Sequence, residues 1–183
     1  MRPAPPSLAA GKTLRDRLDD IERTSGPEEA LTDALQAIVD AVGAVAAAYC
    51  LFDPLKSTLH LAAEVGLSDE GCRNLRKARD GVPIGWDMPL HSLVNRRAYL
   101  IESAARNRYV PELVANPGTI GTVACLPVVA GPMRVGTLIL VTRTPRVLDE
   151  SHVNMLTPAC DALARLTRAL RRRAGDVWSV PGA

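Results

Sequence analysis

The chain has 183 residues, 47% hydrophobic and 23% charged, with 22 Lys and Arg against 20 Asp and Glu. That is enough apolar material for one domain, and a net charge of +2 is too small for the phosphate attraction on which nonspecific nucleic-acid binding relies. Aromatic residues make up 3%, namely Tyr49, Phe52, Trp86, Tyr99, Tyr109 and Trp178, so the core has to be aliphatic. The stretch Met1–Gly11, rich in Pro and Ala and without periodicity, reads as a disordered tail, and 174–183 as a second tail. One domain is therefore expected over 12–173, with its core in 27–170.

Leu14, Leu18 and Ile21 fall at helical spacing among charged neighbours and predict a first helix. A second opens at Pro27, carries Leu31, Leu35, Ile38 and Val42 on one face, and ends at Gly43. The period then changes. Residues 45–52 and 58–65 are two apolar runs joined by a turn-like segment and predict a β-hairpin. Ser68 caps a surface helix over 69–79, Pro89 opens a short helix through Asn95, and 97–102 reads as a strand. The mixed segment 103–116 reads as a functional loop with a helical turn around 111–114. Residues 119–129 and 134–142 flank Ala130-Gly131-Pro132-Met133 and give the strongest β signal. A long helix over 149–173 closes the pattern, with acids at its start and Arg171-Arg172-Arg173 at its end, matching the helix dipole. The fold class is α+β, with helices before, within and after an antiparallel sheet.

Particular residues narrow this topology. The stretch Pro89-Leu90-His91-Ser92-Leu93-Val94-Asn95-Arg96-Arg97-Ala98-Tyr99-Leu100-Ile101 resembles the point in GAF domains where a short helix turns into the third strand. Ala124-Cys125-Leu126-Pro127-Val128 and Val135-Gly136-Thr137-Leu138-Ile139-Leu140 are similar to that family's fourth and fifth strands. The segment from Leu148-Asp149-Glu150 onward is similar to its closing helix. The resemblance implies a sheet of six strands or slightly fewer, terminal helices on one face, and a pocket on the other under the middle helices and loops. It also implies a non-enzymatic regulatory domain that senses a small molecule or relays a signal to a partner protein in trans, or else a ligand-free interaction scaffold.

On that frame the pocket residues are Trp86, Leu90, His91, Val94, Tyr99, Ile101 and Tyr109, with Tyr49 and Cys125 reaching it from the sheet if strand parity allows. Half of the scarce aromatics thus fall beside one place. The final helix carries two apolar faces, and a homodimer is expected through Leu156, Leu163 and Leu170 with Leu14, Leu18 and Ile21 of the first helix. No cysteine has a histidine beside it, as bilin attachment in bacterial phytochromes commonly has, and no cyclic-nucleotide signature is present, so the cofactor is unknown and none is expected to be covalent. Free methionine sulfoxide reductases share the family and use thiolate chemistry with cysteines about ten residues apart. Cys50, Cys72, Cys125 and Cys160 are 22, 53 and 35 positions apart, which argues against that reading and against a zinc or redox motif. No metal site is expected. Neither a signal peptide nor a membrane span is legible, which points to the cytoplasm, with no membrane partner.

Overall fold

Helix α2 (Pro27–Val42) begins where proline costs no hydrogen bond, at the first helical position, and ends at Gly43 with φ 61°. That left-handed conformation suits a residue without a side chain, and the space a Cβ would take is occupied by the guanidinium of Arg146. This computed structural model describes residues 8–77 and 86–173. The expected tail at 174–183 lies outside the described residues. The first helix, α1 (Leu8–Thr24), starts inside the segment expected to be tail. Leu8, Ala9 and Ala10 are strong helix formers, and their propensity outweighs the composition of the residues before them.

Five antiparallel strands follow the predicted order: β1 (Ala46–Asp53), β2 (Thr58–Val65), β3 (Tyr99–Glu102), β4 (Ile120–Ala130) and β5 (Met133–Arg143). Their spatial order is β2-β1-β5-β4-β3, so β1, β5 and β4 are central. Helices α3 (Asp69–Lys77) and α4 (Met88–Asn95) come between β2 and β3, and α5 (Glu150–Arg173) closes the described chain. The segment after β3 carries 3-10 turns at Ala104–Arg106 and Pro117–Thr119, and no helical turn at 111–114. There the Leu113 carbonyl accepts from the Ser68 amide at 3.0 Å and Leu113 and Val114 enter the core, so long-range contacts decide the backbone.

Alternation along the strands divides the interior into two layers. Ala47, Tyr49, Ala124, Leu126, Leu138 and Leu140 face α1, α2 and α5. Ala48, Cys50, Phe52, Val123, Cys125 and Ile139 face the other way, toward α3, α4 and the turns after β3. Tyr49 marks the first layer. Its hydroxyl donates to Thr167 Oγ1 of α5 at 2.9 Å, while Thr167 donates to the Leu163 carbonyl. Burial holds the Tyr49 phenol above its ordinary pKa. Opposite Leu51 in the neighbouring strand sits Gly136, where a Cβ would lie 2.3 Å from the Cys50 carbonyl oxygen and 3.0 Å from the Tyr49 ring.

The two apolar faces of α5 are both used inside the chain. Leu14, Leu18, Leu156 and Leu163 are all at most 4% exposed, because α1 packs on α2 and α5 as one three-helix layer over the sheet. Ile21 and Leu170 pack partly buried against the same cluster. Leaving a large aliphatic side chain in water forfeits about 2 kcal/mol. Four of the six expected dimer residues, Leu14, Leu18, Leu156 and Leu163, are therefore core residues of the chain itself, and the second face of α5 packs against α1. Ion pairs of Arg165 with Asp19 (3.1 Å) and Glu22 (2.9 Å) tie the outer rims of the two helices. Among the described residues no helix is long and apolar enough to cross a membrane.

Gly136→Ala has no room to relax against backbone, and urea unfolding should show a loss of about 2 to 3 kcal/mol. Tyr49→Phe removes one neutral hydrogen bond and should cost about 1 kcal/mol with an unchanged m-value. A Gly136→Ala cost no larger than that of Tyr49→Phe would contradict the close approach of β1 and β5.

Candidate functional site

The layer beneath α3 and α4 is built on a floor of small side chains. Ala46, Ala48, Cys50 and Cys125 are buried on this face of the sheet, with Val123, Ile139 and Val141 between and beside them. Over it lie two short helices, of nine and eight residues, and the irregular segment after β3. Trp86, Leu93, Ile101, Leu113 and Val114 fill the layer, and Leu90 and Tyr99 pack against it partly buried.

Two hydroxyls moor α4 to the sheet. Ser92 Oγ, fully buried, lies 2.8 Å from the Arg97 carbonyl and 3.0 Å from that of Cys125. Thr137 Oγ1 donates to the Pro89 carbonyl at 2.9 Å. Both hydroxyl protons are thereby taken up, so neither group is left with a bare donor. Neither residue was expected to matter. A serine in a short amphipathic helix and a threonine in an apolar strand carry no sequence signal until the two elements are brought together. At its other end α4 closes on Arg96, φ 51°, whose guanidinium donates to the carbonyls of Gly131 (3.0 Å) and Pro132.

Of the nine residues expected here, five share the layer: Trp86, Leu90, Tyr99, Ile101 and Cys125. Pairing explains three of them, since Tyr99 faces Cys125 and Ile101 faces Val123 across β3 and β4. The other four lie elsewhere. Tyr49 belongs to the opposite layer by strand parity, and Cys50 takes the place expected for it. His91 sits on the solvent side of α4, its side chain 60% exposed and 3.2 Å from Asp87. Val94 is exposed on the same helix. Tyr109 is 60% exposed, with the Arg108 guanidinium 4.8 Å from its ring centre and donating to its hydroxyl at 2.6 Å. Helix periodicity turns His91 and Val94 outward once Leu90 and Leu93 face the sheet.

The described residues offer little for covalent or metal chemistry. No group of three or more His, Cys, Asp or Glu side chains that could hold a metal ion occurs among them. All four cysteines are free thiols. Desolvation pushes Cys50 and Cys160 up to about 12 and raises Cys125 as well. Cys72, on α3, is raised by desolvation and then by the charge of Glu64. A reactive thiol needs the opposite shift. A separate groove of about 540 Å³ lies between α1 and α5, lined by Arg15, Asp19, Glu22, Asp161 and Arg165 among others. Its walls are ionic, unlike the apolar layer under α4.

A thiol-specific reagent at neutral pH should therefore modify Cys72 first, leaving Cys50, Cys125 and Cys160 unmodified until the chain unfolds. Fast labelling of Cys50 or Cys125 in the native protein, read by peptide mass spectrometry, would contradict this burial.

Comparison with known proteins places this geometry. The chain is similar to the GAF domain of an Acinetobacter phosphoenolpyruvate-protein phosphotransferase, with a TM-score of 0.71 at 17% identity over 93% of this chain and 99% of that one. It is also similar to the free methionine-R-sulfoxide reductase of Neisseria meningitidis, solved with its substrate (TM-score 0.63, 16% identity, 94% and 97% covered). A segment of a methyl-accepting chemotaxis protein gives a TM-score of 0.62 at 16% identity, covering 85% of this chain and 97% of that one. At these identities the likeness is one of fold. No curated protein matches the sequence. The family model described as "GAF domain" matches residues 24–166, from the end of α1 to the middle of α5, and the chain belongs to the GAF domain family.

Proposed function

We propose that this GAF domain is a regulatory module that takes up a small molecule between the sheet and the α3–α4 roof and passes that event to a partner protein. One observation carries the reading: the two faces of the sheet are covered by unequal means. Helices of 17, 16 and 24 residues seal one face. The other is roofed by helices of nine and eight residues, 3-10 turns and irregular backbone over small side chains. Short elements with few mutual contacts open locally at low free energy, and ligand sites are drawn from such regions. Ligand binding there would rigidify the roof while α1, α2 and α5 stay in place. The outward surfaces of the roof, including Val94 and Tyr109, are the natural place for a partner to sense the change.

Thiol reduction, the activity named for the Neisseria relative, is disfavoured because every cysteine has its pKa raised rather than lowered. Regulation is also in keeping with the likeness to a chemotaxis-protein segment and to a phosphotransferase GAF domain.

Native mass spectrometry of the protein purified from cells tests the reading directly. The expected spectrum shows a small molecule retained on the 19.6 kDa chain and released on denaturation, and the assembly mass reports any homodimer. Bare chain, together with no rise in melting temperature in a cell metabolite extract, would overturn the sensing role and leave an interaction scaffold.

A further inference from the structure

The hydrogen-bonding inventory of the roofed layer restricts what can bind there. Trp86 is 8% exposed, and its indole N–H is buried without an acceptor among the described residues. Such orphans are rare, because burying a donor unpaired forfeits its bond to water with nothing in return. Among the described residues none of the polar groups of this layer accepts from it: the Ser92 and Thr137 hydroxyls bond backbone carbonyls, and the Tyr99 hydroxyl accepts from Asn95 Nδ2 at 3.0 Å. Cys50 and Cys125 are neutral thiols held so by burial. Among the described residues, no charged side chain is buried in this layer, so none of them neutralises a phosphate or a carboxylate there.

Resting on the sensing role proposed above, we infer that the ligand is an uncharged, largely apolar molecule bearing one carbonyl or ring-nitrogen acceptor, and that this acceptor takes the hydrogen bond of the Trp86 indole. The apolar floor supplies the affinity, and the indole N–H supplies orientation and selects against pure hydrocarbons. Anions are rejected because the layer would strip their hydration and give back no countercharge.

Three probes of one shape separate these claims: acetonaphthone, a neutral ketone; ethylnaphthalene, without an acceptor; and naphthoate, an anion. The chain has two tryptophans, Trp86 and Trp178, so the indole region of a nitrogen–proton correlation spectrum holds two signals, assigned with Trp86→Phe. Acetonaphthone should bind roughly tenfold more tightly than ethylnaphthalene and move the Trp86 indole proton downfield. Naphthoate should bind more weakly than either. In Trp86→Phe the ketone should lose its advantage while ethylnaphthalene keeps its affinity. If that variant fails to fold by circular dichroism, the indole shift in the parent protein decides the matter. Equal affinity for ketone and hydrocarbon with an unmoved indole signal would overturn the role of Trp86 and leave the sensing role standing. Tightest binding of naphthoate would overturn the neutrality of the ligand. If none of the three bound, the site itself would fall, and with it both proposals.

Discussion

Strand parity in β1 is the constraint on which the rest of this structure depends. Tyr49 and Cys50 are adjacent and point to opposite sides of the sheet, one into the three-helix layer and one into the roofed layer. A slip of one residue would exchange them, burying a phenol under α4 and a thiol under α5. What prevents the slip is local and steric. Gly136 lets β5 approach the Cys50 carbonyl and the Tyr49 ring, and the Tyr49 hydroxyl finds Thr167 on α5. Sheet register, helix docking and the identity of the floor residues are fixed together at this junction.

The division of labour between the two faces follows. The helix side carries the longer elements and their mutual packing, including a first helix whose apolar stripe is consumed by α2 and α5. The roofed side is tied by single hydrogen bonds between residues far apart in sequence: Ser92 and Thr137 under α4, the Ser68–Leu113 bond, and Asn74 Nδ2 donating to the Glu112 carbonyl at 2.9 Å. These bonds orient a roof whose inner side chains, Leu75, Trp86, Leu93, Leu113 and Val114, are buried against the sheet. Each neutral hydrogen bond contributes about 1 kcal/mol net, so this handful sets the position of the roof more than its stability.

Much of the fold was legible in the sequence because its signals are local. Pro27 and Gly43 mark the ends of α2, the apolar runs around Gly131-Pro132 mark the central hairpin, and the Gly136 motif lies where a close approach of strands requires it. The candidate site was legible in part. Trp86, Leu90, Tyr99, Ile101 and Cys125 share one layer, as periodicity and hairpin pairing place them. The layer of Tyr49 stays open in the sequence, since nothing in an apolar run states its parity, and the structure puts it under the helices. His91, Val94 and Tyr109 were placed inward on chemistry that favours ligands, whereas the phase of α4 and the exposed Arg108–Tyr109 stack are set by tertiary contacts. The two apolar faces of α5 were real, but the sequence alone did not say that α1 would cover the second.

Site-resolved hydrogen exchange tests the central claim, that one face of the sheet is sealed and the other is a roof able to open. Amides of α1, α2, α5 and the central strands should exchange only with global unfolding. Those of α3, α4 and the segment from 103 to 119 should exchange through local openings of much lower free energy. Uniform protection across both layers would contradict the account, because a roof as stable as the helix layer could not serve as the responsive side of the domain.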